Sequence, residues 1–163
     1  AQQADGSFLT ISERGSPIAL HDNHIRLPER YPPQAHIQLL TPLRIRQKGR
    51  ILRETELTQT IFLRQLLRRY LTLAHLHWGK NANAAELSAQ IGGQGLPPRL
   101  SWHEHRRFSN RQKQITPLSG AIGTWQLTDL SPAFSPMLYI GQSLHLGKET
   151  VFGNGQYRIN KAA

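Results

Sequence analysis

The chain has 163 residues, 38% of them hydrophobic, with 20 Lys and Arg against 10 Asp and Glu for a formal charge of +10. That size and apolar content suit one compact domain or two small ones and exclude a largely disordered chain, while the positive surplus points to a polyanionic partner. With no cysteine there is no disulfide framework, thiolate nucleophile or thiolate metal site, which fits a reducing, cytoplasmic setting; charges break every apolar stretch, so no membrane span is expected.

The start, Ala1 to Asp5, lacks the basic and apolar regions of a signal peptide and has no initiator Met, and reads as a processed product or a fragment. Residues 1–35 mix Gly6, Gly15, Pro17 and Pro28 with short apolar pieces such as Phe8-Leu9-Thr10-Ile11, giving a hairpin and then a linker that ends at Pro32-Pro33. A strand follows: Ile37, Leu39, Leu43 and Ile45 alternate with polar positions, and Arg44 and Arg46 take the other face. Pro42 in its middle predicts an edge or a bulge. Residues 58–78 read as a helix, because Phe62, Leu63, Leu66, Leu67, Tyr70, Leu73, Ala74 and His77 fall in one arc. Arg64, Arg68 and His75 lie opposite, and Gln65, Arg69 and Thr72 widen that basic stripe. The plain reading of such a stripe is a face that stays in water.

After Gly79 a polar insertion, with Asn81, Asn83, Gly92, Gly93, Gly95, Pro97 and Pro98, reads as a long loop holding one helical turn. Alternation resumes over 100–108, with Leu100, Trp102, Glu104, Arg106 and Phe108 on one side of a strand that pairs through a turn with a strand around Ile122, Trp125 and Leu127. Asp129 or Ser131 is placed to cap a second helix over 131–143, with Pro132 in its first turn and Pro136 limiting its regularity. A last strand runs from Thr150 to Ile159, interrupted by Gly153 and Gly155. This order, βαββαβ, is that of an α+β, ferredoxin-like fold: an antiparallel sheet with two helices on one face and the other face open.

Several motifs fail on spacing. Gly141 to Thr150 imitates a phosphate loop, but five residues separate Gly141 from Gly147 and Glu149 stands where Mg²⁺ needs a hydroxyl. Gly153-Asn154-Gly155 begins like a dinucleotide fingerprint yet reaches Arg158 where the third glycine belongs. His103 and His105 share a strand face, but no third ligand is evident, so no metal site is expected. Two features remain. The glycine-rich segment around Lys148 lets a backbone come close, offering amide donors and an ammonium to phosphate oxygens. The run Arg106-Arg107-Phe108-Ser109-Asn110-Arg111-Gln112-Lys113 packs cations, an aromatic ring and amides in the mixture that suits single-stranded or hairpin RNA.

Leu144-His145-Leu146-Gly147-Lys148-Glu149-Thr150-Val151-Phe152-Gly153-Asn154-Gly155-Gln156-Tyr157-Arg158-Ile159 resembles the glycine-rich loop of the CRISPR repeat-processing endoribonucleases of the RAMP superfamily. Arg107 to Gln112 is similar to that family's Arg-aromatic-Ser-x-Arg-Gln segment, and Leu40-Thr41-Pro42-Leu43 resembles the strand opening its C-terminal domain. The resemblance implies a C-terminal ferredoxin-like RNA-binding domain over 37–163, with 1–36 as a leading segment, the tail of a truncated first domain of that kind. It implies metal-independent cutting of precursor CRISPR RNA to 2′,3′-cyclic phosphate and 5′-hydroxyl ends, without cofactor. It also implies an RNA surface made of Arg106, Arg107, Arg111, Gln112, Lys113, His145, Gly147, Lys148, Gly153, Asn154 and Gly155, with His145 the catalytic candidate. Because the family's catalytic histidine commonly lies in the first domain, two alternatives stand beside the enzyme: a non-catalytic RAMP subunit among other subunits of an interference complex, and an unrelated basic RNA-binding module.

Overall fold

The structure, a computed structural model, describes residues 25, 27–81, 83–110 and 113–160. The hairpin expected around Phe8 to Ile11 lies outside the described residues, as do Arg111 and Gln112. In chain order the elements are β1 (Ala35–Leu43), β2 (Arg46–Gln47), β3 (Arg50–Ile51), a 3₁₀ turn (Glu54–Glu56), α1 (Gln59–Trp78), α2 (Ala84–Ala89), β4 (Arg99–His103), β5 (Arg106–Ser109), β6 (Gln114–Pro117), β7 (Gly120–Leu127), α3 (Phe134–Leu144), a second 3₁₀ turn (Thr150–Phe152) and β8 (Tyr157–Asn160). Four strands make one antiparallel sheet in the order β4-β7-β1-β8. With α1 between β1 and β4 in the chain and α3 between β7 and β8, this is the ferredoxin-like arrangement.

Strand β1 shows why the sheet has one dry face. Ala35, Ile37 and Leu39 are buried while His36, Gln38 and Leu40 are exposed, the period-two split of a strand covered on one side only. Onto that dry face α1 lays Phe62, Leu63, Leu66 and Leu67, and α3 lays Phe134 and Leu138, all within one core with Trp125 and Tyr157. The Phe62 ring meets Trp125 at 5.9 Å and Tyr157 at 5.5 Å, both edge-on, the geometry aromatic quadrupoles favour. Helix α1 begins where the Thr58 hydroxyl accepts the Ile61 N–H and ends at Gly79, whose φ of 61° is left-handed. The insertion holds one short helix, α2, capped by the Asn83 side chain, which accepts the Glu86 N–H.

Pro42 sits at a bulge, one of its two expected settings, since the register shifts between Leu39 and Leu43 of the central strand β1. Three details differ from the sequence reading. The strand expected over 100–108 divides: β4 stops where its partner β7 begins, at His103 opposite Gly120, and β5 pairs instead with β6 in a separate hairpin. At the division the Ser119 hydroxyl accepts the His105 N–H, substituting for a ladder bond. Helix α3 starts at Phe134, because Pro132 and Ala133 form a turn in which the Phe134 N–H donates to Ser131 O; Pro136 is thus in the first helical turn, where its missing donor costs nothing. The last strand begins only at Tyr157, because Glu149, Gly153 and Gly155 have φ values of 63°, 87° and 78°, which no strand accommodates.

Candidate nucleic-acid interface

The bulge in β1 is what shapes the glycine-rich loop. Thr41 Oγ1 donates to Gly153 O at 2.7 Å and accepts the Gln156 N–H at 2.8 Å, Pro42 O accepts the Gly155 N–H at 3.0 Å, and Arg44 O accepts the Lys148 N–H at 2.7 Å. Leu146 N–H donates to Gly155 O, closing the base of the loop. A Cβ on Gly155 would stand 1.8 Å from Leu146 O, and one on Gly147 would stand 2.3 Å from Arg44 O. These glycines bring protein backbone against protein backbone. The amides of Lys148, Phe152, Gly153, Asn154 and Gly155 all donate within the protein, so the expected offer of bare amides to a phosphate is corrected: most of the loop's donors are consumed in holding its shape.

What the loop does present is a side chain. Lys148 is exposed and lines a cleft of about 190 Å³ with Gly147, Arg46 of β2, and Gln65, Arg68, Arg69 and Thr72 of α1. Four cations, one from the loop, one from the β2–β3 hairpin and two from the helix, thus converge, and no carboxylate is among the lining residues. Arg69 is fixed there, its Nε donating to Leu144 O at 3.2 Å, and Arg46 Nε donates to Gly49 O at 3.1 Å. Arg46 and Lys148 also line an adjoining cavity of about 250 Å³ with Arg44 and one carboxylate residue, Glu149. The four cations of the cleft concentrate positive potential and attract phosphate.

The β5–β6 hairpin reaches the loop from the other side. The Arg107 guanidinium stacks on the Phe152 ring at 4.4 Å, a contact of cation–π type. At the root of the hairpin, Asn154 Nδ2 donates to Leu118 O at 2.8 Å and Arg44 donates to Ser119 O at 2.9 Å. The Ser119 hydroxyl donates to Glu104, and this bond, more than that from Trp102, holds the Glu104 carboxyl below the usual carboxylate range.

The family model for the CRISPR-associated endoribonuclease Cas6 matches residues 37–157, a span that contains the cleft, the hairpin and the loop. The chain belongs to the Cas6 family. No curated protein matches it in sequence. Among solved structures it is similar to a chain of a partial Cas6-RT-Cas1–Cas2 complex, with a TM-score of 0.57 and 19% identity over 83% of this chain and 24% of that one. It is similar also to Thermus thermophilus Cas6, with a TM-score of 0.55 and 17% identity over 80% of this chain and 55% of that one. At such identities the likeness shows the fold, and this chain spans from about a quarter to just over half of those structures' length.

Within this Cas6-family fold the described residues of the expected site fall into four groups. Gly147 and Lys148 stand in the cleft, and Arg107 stands against the loop through Phe152. Gly153, Asn154 and Gly155 act as loop framework, Asn154 being only 3% exposed. Arg106 and Lys113 are exposed on the hairpin, Lys113 in its turn with φ 49°. His145 lies beside the loop, Nδ1 at 3.3 Å from Asn154 O, outside the lining of the cleft. The residues missing from the sequence-based set are Arg46, Arg68, Arg69 and Gln65. For Gln65, Arg68 and Arg69 the signal was present in the helical stripe, whose Gln65, Arg68, Arg69 and Thr72 edge lines the cleft with Lys148, whereas Arg46 comes from β2. His103 and His105 stack at 6.4 Å, and among the described residues no group of three His, Asp or Glu side chains is placed to hold a metal. No helix among the described residues is long and apolar enough to cross a membrane.

Proposed function

We propose that this chain grips CRISPR repeat RNA and takes part in processing precursor CRISPR RNA, with 1–36 a leading segment and 37–163 the RNA-gripping domain. The observation that carries this is the convergence of Lys148, Arg46, Arg68 and Arg69 on one cleft without a carboxylate, the electrostatic footprint of a ribose-phosphate strand. The chemistry is metal-independent transesterification: the 2′-hydroxyl oxygen preceding the cut attacks the adjacent phosphorus, the bond to the 5′-oxygen breaks, and 2′,3′-cyclic phosphate and 5′-hydroxyl ends result. A base takes the 2′ proton, an acid supplies one to the leaving oxygen, and the cleft cations offset the charge growing on the phosphorane. Arg106, Arg107 and Lys113 extend the RNA surface along the hairpin, and Arg111 and Gln112, outside the described residues, complete the proposed set. Similarity to a chain of a Cas6-RT-Cas1–Cas2 complex supports further CRISPR proteins as partners.

A second reading, binding without cutting, is favoured by the position of His145 outside the cleft lining. One assay separates the two: the chain, and a version extended at its N-terminus, are incubated with labelled repeat RNA in EDTA. Product ending in cyclic phosphate supports processing, tight binding with no product from either protein supports the non-catalytic subunit, and weak binding indifferent to repeat sequence overturns both.

A further inference from the structure

Among the side chains lining the cleft, Gln65 is the one that phosphate alone does not explain. Gln65, Arg68, Arg69 and Thr72 stand at i, i+3, i+4 and i+7 along α1, the spacing of one helix edge. Arg69 and Arg46 are each tied to a protein carbonyl. Gln65 is half-buried, yet its amide has no hydrogen-bond partner among the described residues. The other glutamine of α1, Gln59, uses both ends of its amide within the protein, on Gly92 and Thr128. An uncharged amide adds little to the hold of neighbouring guanidiniums on a phosphate, because charge-assisted bonds are roughly twice as strong as neutral ones. What it offers is a donor beside an acceptor, the pattern of a base edge. The cleft, at about 190 Å³, is smaller than the roughly 300 Å³ at which pockets begin to take drug-sized ligands, so it admits one base or one phosphate unit at a time.

We propose that Gln65 is a specificity-determining residue that pairs with the edge of one unpaired adenine in the cleft, while Lys148 and Arg68 hold the phosphates on either side. The proposal rests on the reading of the cleft as an RNA site and adds to it the means of telling one sequence from another. Adenine is favoured because it sets a donor beside an acceptor on both of its open edges, N6–H with N7 and N6–H with N1. Guanine places two acceptors, O6 and N7, on the first of these edges, where an amide can meet only one, and a pyrimidine has no such edge. The base must be unpaired, since the major groove of an RNA helix is too deep and narrow for side chains to read. The cations of the cleft supply affinity without regard to sequence, and the amide supplies the selection.

The test uses the full chain and labelled oligouridylates of about 12 nucleotides, within the length that single-strand sites cover, carrying at the centre an adenosine, an inosine or a further uridine. Inosine keeps the purine rings but has an oxygen in place of the N6 amino group, so it separates edge from size. The adenosine oligonucleotide is expected to bind about tenfold more tightly than the other two, within the range that a bidentate amide–adenine pair discriminates. Gln65→Ala is expected to abolish that preference with the slope of log K against log salt unmoved, since no charge is lost, and with its melting temperature unchanged. Lys148→Ala is expected to weaken all three alike, to flatten the slope by about 0.7 and to keep the preference. Equal binding of the three by the wild-type chain, or a preference that survives Gln65→Ala, overturns the role of Gln65; the cleft stands if Lys148→Ala still weakens binding. Inosine bound as tightly as adenosine overturns it too, because ring size would then explain the selection. If the wild-type chain binds repeat RNA but none of the three, the Gln65 role falls alone; if it binds no RNA, the RNA reading falls and this role with it.

Discussion

Gly153 and Gly155 stand two positions apart in the same loop with φ values of 87° and 78°, yet they do different things. Around Gly153 a Cβ would meet nothing within 4 Å, whereas at Gly155 it would meet Leu146 O, C and N. Gly153→Ala therefore carries only the cost of a left-handed backbone, about 1–2 kcal/mol, and the loop keeps its shape. Gly155→Ala must also push apart the strand-like contact in which Leu146 N–H donates to Gly155 O, and the Lys148 ammonium moves with it. Denaturant unfolding is expected to show the second variant losing at least about 2 kcal/mol more than the first, and RNA affinity to fall in the second alone. Equal losses in the two would mean that conformational freedom, and not close approach, is what both glycines supply. The sequence exposes the glycine spacing but not this distinction, because the atom that Gly155 avoids lies nine residues earlier, across the base of the loop.

At the scale of elements, a single buried amide joins three segments. Gln59, the first residue of α1, is fully buried; its Nε2 donates to Gly92 O at 2.9 Å and Thr128 O at 2.7 Å, and its Oε1 accepts the Thr128 N–H at 2.9 Å. The start of the helix, the insertion and the end of β7 are thereby fixed to one another. Gln59→Ala leaves three backbone groups without partners, at about 1–3 kcal/mol for a buried group so stranded. A drop of about 3 kcal/mol in unfolding free energy is expected, with hydrogen exchange accelerated first around Gly92 and Thr128; a loss below about 1 kcal/mol would show that water replaces the amide without penalty. Nothing in the sequence around Gln59 distinguishes it from a surface glutamine. Elements set by local chemistry were legible: α1 from its apolar arc and the Thr58 and Gly79 boundaries, the order of the four sheet strands from their alternation. Those set by distant partners were not. Whether β4 continues into β5 depends on where β7 begins, and whether Pro42 marks an edge or a bulge depends on β8, more than a hundred residues away.

For the whole molecule the question is whether RNA is held by the net charge of +10 or by where the charges stand. The site's cations come from β2, α1 and the loop before β8, so their proximity is a property of the fold, and only Arg68 and Arg69 could be associated from sequence, as neighbours on one helix stripe. Arg64 and Arg68 offer the contrast. Both are exposed arginines on α1, one turn apart, but Arg68 lines the cleft with Lys148 and Arg64 does not. Replacing either by Ala lowers the net charge by one and leaves the long-range attraction, screened beyond about 8–10 Å in physiological salt, nearly the same in both. If position governs, Arg68→Ala loses a phosphate contact: repeat-RNA affinity falls about five- to tenfold and the slope of log K against log salt flattens by about 0.7 to 0.9, while Arg64→Ala changes affinity less than about twofold and leaves the slope alone. Fluorescence anisotropy across a salt series reads both quantities. Equal effects of the two substitutions would assign binding to the overall field and remove the cleft from the account.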